Sequence, residues 1–470
     1  MPKQIEQIIA RMKKAIALNH TLHKVSIESI PEALDSLVTD EAEDCFMYTP
    51  FKETLQNISL ITENERKTIR SKAITVIQKY MKSIKELRKF ITSTYMRHTR
   101  KGYGVNSWSN GSEFYKECLK YRLTMSVSPE EVHQTGLREV SRISTEMKKI
   151  FSKLGLHGTI EESFRALKRD PKYFLKTGEE MIKRYEDIIY KEIDPKLPTF
   201  FRDLPDIPVI IEPSDYDGPF GRYVSSIADG SGVGTFILNT FHPDQSPVFN
   251  FMAIAMHETN PGHHLQISIS KTTALPRLRS NILTTLLYQI PTTFPKWTAF
   301  IEGWGLYSEY LGEEMGLYKT DVDMLGRYSL EILRACRLVV DTGLHYFNWT
   351  REEAIEYLTN YTASGESEIS FEVNRYMTIP GQACAYKIGE LKFKELRNKS
   401  ATELGEHFDI KEFHSVVLRQ GPMSFTTLET VVDQWIESTK RHLLNTSIKV
   451  TPELIMYIFQ ILFLYIIIKS

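Results

Sequence analysis

The sequence predicts a mainly α-helical protein, one large unit carrying a small antiparallel β-sheet. Apolar residues recur at helical spacing over most of the chain, and strand character is confined to residues 206–240. No internal repeat, low-complexity tract or clear linker divides the rest. A chain of 470 residues buries a large core, and large helical enzymes fill this size as one unit. Its 42% apolar and 25% charged residues are ordinary for a soluble globular protein. Lys plus Arg number 58 against 59 Asp plus Glu, so no global field favours nucleic acid or an anionic membrane.

The first hundred residues read as amphipathic helices. Ile5, Ile8, Ile9, Met12 and Ile16 share one face of the first, and the opening segment lacks the apolar core and cleavage site of a secretory signal peptide. Breaks fall near Ser29–Pro31 and Thr49–Pro50, and a helix-rich stretch runs from Ile61 to Met96. Residues 100–112 form a loop by their Gly, Ser and Asn content. Ser128 then caps a helix, with Pro129 in its first turn and Glu130 and Glu131 complementing its positive end. The runs 208–212, 221–227 and 235–239 are short strands between Pro, Asp and Gly turns. An edge of that sheet, placed beside a cleft, offers a pairing surface for an extended peptide.

Helix resumes near Phe249 and continues to about Leu444, so a catalytic domain spans 101–444 behind an N-terminal helical region at 1–100. The apolar run 454–468 is shorter than the roughly 20 residues that span a bilayer comfortably. It reads as a tail, 445–470, outside the catalytic domain, and membrane contact requires that it be a real anchor. Six Asn-x-Ser/Thr sequons hint weakly at secretion and leave the compartment open. Cys45, Cys118, Cys336 and Cys384 are scattered without a CxxC pair, which excludes a thiolate zinc site and a dense disulfide framework. Free cysteines in such helical stretches act as small hydrophobes.

The segment VFNFMAIAMHETNPGHHLQ carries the chemistry. An apolar run delivers His257 and Glu258 at its end, and Pro261 stands where HExxH would place its second histidine. On an undistorted helix His263 lies about 120° off the His257 face, whereas His264 returns to that face about 10.5 Å further along. Pro261 and Gly262 supply a distorted turn that swings His263 back, which favours it over His264. Zinc takes neutral imidazoles and carboxylates and keeps a position for water. Glu302, in TAFIEGWGLYSEY, is the acidic third ligand. Glu309, seven residues on, is suited to hold a ligand histidine in its proper tautomer.

HETNPGHHLQ, EGWGLYSE and RYMTIPGQACAYKIGELK, in this order, closely resemble the family catalogued as domain of unknown function 885. The resemblance covers roughly residues 100 to 440. It implies a helical, metallopeptidase-like fold with zinc held by His257, His263 and Glu302, and Glu258 as general base. Where the family often reads YY…DGSRPG, this chain has GRYVSSIADGSGVG, with Tyr223 alone and Val233 in place of proline. The expected reaction is hydrolysis of a peptide by metal-activated water. Tyr386 is the leading candidate to steady the developing oxyanion, Arg375 to meet a substrate carboxylate or pair with a buried acid, and Gln382 to hydrogen-bond in the cleft. The alternatives are an amidase acting on small non-peptide amides and a non-catalytic binding protein that retains the fold.

Overall fold

The structure is a computed structural model that describes residues 2–202, 204–218, 220–225, 232–276 and 297–447. Its principal helices are α1 (Pro2–Ala17), α2 (Glu63–Ser93), α3 (Gly111–Leu123), α4 (Pro129–Lys153), α5 (Ile160–Lys168) and α6 (Gly178–Glu186). After the sheet come α7 (Phe251–Glu258), α8 (His263–Thr272), α9 (Thr298–Glu314), α10 (Asp321–His345) and α11 (Arg351–Tyr361). The set closes with α12 (Glu366–Thr378), α13 (Ala385–Leu404), α14 (Ile410–Arg419) and α15 (Phe425–Ser447). Short 3-10 turns link many of them, and the architecture is mainly helical, as the sequence predicts.

Polar signals fix several helix starts. Ser128 accepts the Glu131 N–H while the Glu131 carboxylate accepts the Ser128 N–H, with Pro129 in the first turn. The same reciprocal cap opens α2 at Thr62 and Glu65, α5 at Thr159 and Glu162, α10 at Thr320 and Asp323, and α11 at Thr350 and Glu353. Each satisfies two otherwise orphaned amides and is worth about 1 kcal/mol. The first hundred residues close an apolar cluster of their own, where Ile77, Ile84 and Ile91 of α2 meet Ile27, Cys45 and Tyr95, with Ile5, Ile9 and Met12 of α1 against it. All four cysteines are free, and Cys45, Cys336 and Cys384 are buried among apolar neighbours.

Two helix contacts set the frame of the interior. Helix α10 lies along α4, and a Cβ at Gly136 would stand 2.7 Å from a Val339 methyl. Helices α9 and α13 touch backbone to backbone, since a Cβ at Gly389 would fall 2.1 Å from the Ala299 carbonyl oxygen. Between these layers Lys387 is fully buried, its ammonium 2.6 Å from Glu331, 2.5 Å from Glu390 and 3.0 Å from Glu139. That cation ties α13 to α10 and α4.

The sheet corrects one expectation. Strands β1 (Val209–Pro213), β2 (Gly221–Val224) and β3 (Gly234–Leu238) lie in the order β1-β3-β2 and form a mixed sheet. β2 runs antiparallel to β3, but β1 runs parallel to it, with Val209 opposite Gly234. The cause is burial. Gly234, Phe236 and Leu238 of β3 are buried, so β3 takes the centre. The half-exposed β2, carrying Arg222, and the proline-ended β1 take the edges, where a missing N–H is tolerated. Residues 226–231, which include the DGS triplet, and the whole run 454–468 lie outside the described residues. Helix α15 ends at Ser447. No helix among the described residues is long and apolar enough to cross a membrane.

Candidate metal centre

Helix α7 is apolar nearly throughout, with Phe251, Ala253, Ala255 and Met256 fully buried, so it drives His257 and Glu258 into the interior. It ends at Glu258, and α8 begins at His263. The chain breaks between the two helices instead of bulging within one. Gly262 has φ −71°, so left-handed freedom is not its role. A Cβ there would lie 2.0 Å from the His257 carbonyl oxygen, and this close approach is what demands glycine. The turn is held from outside by Trp304, whose indole N–H donates to the Pro261 carbonyl at 2.8 Å, and by Asp194, which accepts from the Asn260 amide at 2.9 Å. Neither residue stood out in the sequence, although Trp304 sits inside the EGWG segment.

The break turns His263 toward His257. Their rings stand 4.8 Å apart at 85°. Glu302, on α9, places Oε2 at 3.6 Å from Nε2 of His257 and at 3.6 Å from Nε2 of His263. Bonds of about 2.0–2.2 Å in a tetrahedral site put neighbouring ligand atoms about 3.3–3.6 Å apart, and both Glu302–histidine separations match that spacing. Glu258 also belongs to this group, since one of its oxygens and a nitrogen of each imidazole all lie within 4.8 Å of one another. The other nitrogen of His257, Nδ1, is 2.7 Å from Glu309 Oε1, with Arg334 3.8 Å from that oxygen. Gly305 makes room for the ring, because a Cβ there would fall 2.6 Å from His257 Cε1.

The electrostatics match a cation site. Burial disfavours an imidazolium at His257, but Glu302 and Glu309 outweigh it and lift His257 to about 9. Burial equally opposes a charged Glu302, yet the two histidines hold its carboxyl far below the ordinary range. A divalent cation placed among these atoms takes over the proton's role in balancing the carboxylates.

His264 faces elsewhere. Its Nε2 lies 2.9 Å from the Ile207 carbonyl and its Nδ1 3.1 Å from the Tyr223 hydroxyl, and burial lowers it to about 4. Tyr223 in turn donates its backbone N–H to Glu258 Oε2 at 2.8 Å. In the β2–β3 ladder Phe220 accepts from Asn239, so alternation turns the Tyr223 amide to the side away from β3. The outer edge of β2 therefore faces the metal centre.

Tyr386 opens α13 beside this group. Burial and the Glu302 carboxylate raise its phenol, and the Arg337 guanidinium lies 4.6 Å over its ring. Arg375 pairs with a partly buried acid: it grips Glu372 at 3.1 and 3.0 Å and donates to Gln382. Glu372 also accepts from Arg337 at 2.8 Å. Gln382 is thereby tied to Arg375, within the loop that leads into α13.

The family model for "Bacterial protein of unknown function (DUF885)" matches residues 1–432. The chain belongs to this family. The match begins a hundred residues earlier than the motifs alone imply, taking in the N-terminal helices. Among solved structures, a "putative lipoprotein" from Colwellia psychrerythraea is 31% identical, with a TM-score of 0.82 over 92% of this chain and 74% of that one. A "putative lipoprotein of unknown function" from Shewanella oneidensis shares the fold, with 16% identity and a TM-score of 0.65 over 91% of this chain and 78% of the other. No curated protein matches.

Proposed function

We propose that this member of the family is a zinc-dependent peptide hydrolase, with His257, His263 and Glu302 holding the metal and Glu258 as general base. The carrying observation is the single Glu302 oxygen 3.6 Å from both imidazole Nε2 atoms. Zinc held there supplies carbonyl polarisation and a water acidic enough to lose its proton near neutral pH. Glu309 fixes the His257 tautomer by accepting from Nδ1. Glu258, steadied by the Tyr223 N–H, takes the proton of the attacking water and delivers it to the departing nitrogen. Tyr386 donates a hydrogen bond from its phenol, kept protonated by burial and Glu302, to the carbonyl oxygen as charge gathers there. Arg375 acts on the substrate only through Gln382 and the Glu372 cluster, which keep the loop before Tyr386 in place.

The outer edge of β2 supports a peptide over a small amide, because a main chain laid along it passes Glu258. The relative described as a lipoprotein supports an envelope or secreted setting.

Metal analysis of the purified chain, followed by an unbiased peptide-library digest, tests the reading. One zinc per chain and cleavage at defined positions are expected. Glu258→Gln should keep the metal and lose about 10²–10⁴ of the turnover. A metal-free wild type that cannot be loaded, or a Glu258→Gln protein with full turnover, overturns it.

A further inference from the structure

One buried hydroxyl is not explained by packing. Tyr185, on α6, is fully buried. Its ring stacks on Phe251 at 4.5 Å with the planes 16° apart, and meets Phe236 nearly edge-on at 5.2 Å. A phenylalanine would make both contacts. The hydroxyl itself is enclosed without a hydrogen-bond partner, an arrangement that costs stability and persists only when something offsets it.

The position of the ring suggests what does. Phe251 and Glu258 are seven residues apart on α7 and so share one face. Phe236, the other ring that Tyr185 meets, stands opposite Tyr223 in the sheet, and the Tyr223 N–H grips Glu258. Burial and then the Glu258 carboxylate push the Tyr185 phenol well above its ordinary value, so that carboxylate is within electrical reach.

We propose that Tyr185 is a positioning residue for Glu258, its O–H donating to the Glu258 carboxylate once the metal is bound. The Tyr223 N–H already grips Glu258 from β2. A second donor from α6 fixes the plane of the carboxylate and leaves one oxygen direction for the travelling proton. This inference rests on Glu258 being the base, but the contact is measurable without turnover.

The experiment is a double-mutant cycle on the zinc-loaded full chain: wild type, Tyr185→Phe, Glu258→Met and the pair, each read by melting temperature and zinc content. If the contact forms, Tyr185→Phe lowers the melting temperature of the wild type. In the Glu258→Met background, where the hydroxyl is unpaired, it leaves that temperature unchanged or raises it. The two effects should differ by roughly 1–3 °C. If Glu258→Met fails to fold, Glu258→Gln takes its place, with a smaller difference of the same sign expected. Equal shifts in both backgrounds overturn the proposal.

In a peptide assay Tyr185→Phe should lower kcat about tenfold with KM within about twofold, which a packing role would not do. An unchanged kcat also overturns it. Coupling in the cycle with no peptide cleaved by the wild type refutes the base and keeps the contact. Cleavage with an additive cycle does the reverse.

Discussion

Asp341 is fully buried on α10, where one oxygen accepts the Tyr115 hydroxyl at 2.6 Å and the Gly381 N–H at 2.9 Å, while the other has no partner. It thereby anchors the loop that feeds Gln382 and Tyr386 toward the metal group. Burial pushes its carboxyl up to about 6. A carboxyl raised above its unfolded value favours the fold below about pH 4 and loses that contribution as pH rises through 6. Relative to Asp341→Asn, the wild type should therefore gain about 1–3 kcal/mol as pH falls from 7 to 4, read from urea midpoints. The comparison between variants matters, because buried His345, lowered to about 4, titrates with the opposite sign. At the metal group, Glu309→Ala should weaken zinc binding about 10–100-fold while leaving the helices intact, checked by competition with a chelator. Glu302 and Glu309 were legible at this scale because seven residues put them on one helical face beside an unusual histidine pair. The partner of Arg375 was not, since Glu372 precedes it by one helical turn and nothing local separates a structural pair from a free guanidinium.

Among the elements, glycines decide how closely the site helices approach. Gly305→Ala sets a methyl group 2.6–2.9 Å from three atoms of the His257 ring, so it should cost zinc occupancy before it costs folding. Metal content alongside far-ultraviolet circular dichroism would separate the two. Gly389→Ala drives its methyl into the Ala299 carbonyl and should destabilise the α9–α13 contact by about 1–3 kcal/mol, visible as a lower melting temperature. Helix starts were readable because their caps are local: Ser128 and Glu131 are three residues apart. Strand order was not. Three short strands between Pro, Asp and Gly turns suggest an antiparallel sheet, whereas the actual order depends on which strand hides most side chains, a property of the assembled molecule. The Pro261–Gly262 step signalled a departure from regular helix, but its form, a stop and restart, is set by the carbonyls of Met256 and His257 closing on Gly262.

For the molecule as a whole, a cation held as proposed by His257, His263 and Glu302 would cross-link α7, α8 and α9. Stripping it with a chelator should lower the melting temperature by several degrees, and zinc should restore it; at a thousandfold excess over Kd such binding contributes about 4 kcal/mol. The sequence motifs located the metal group within the chain but not the reach of the family, because amphipathic helices such as α1 and α2 carry no signature beyond their spacing. Lys387 follows Tyr386 directly, and its ammonium sits among acids from α4, α10 and its own helix. Replacing it strands those carboxylates in the interior, at about 3–5 kcal/mol. A dead enzyme made by mutating Lys387 would thus report a collapsed interior rather than missing chemistry, so soluble yield has to be weighed before any residue in AYKIGELK is ranked by activity.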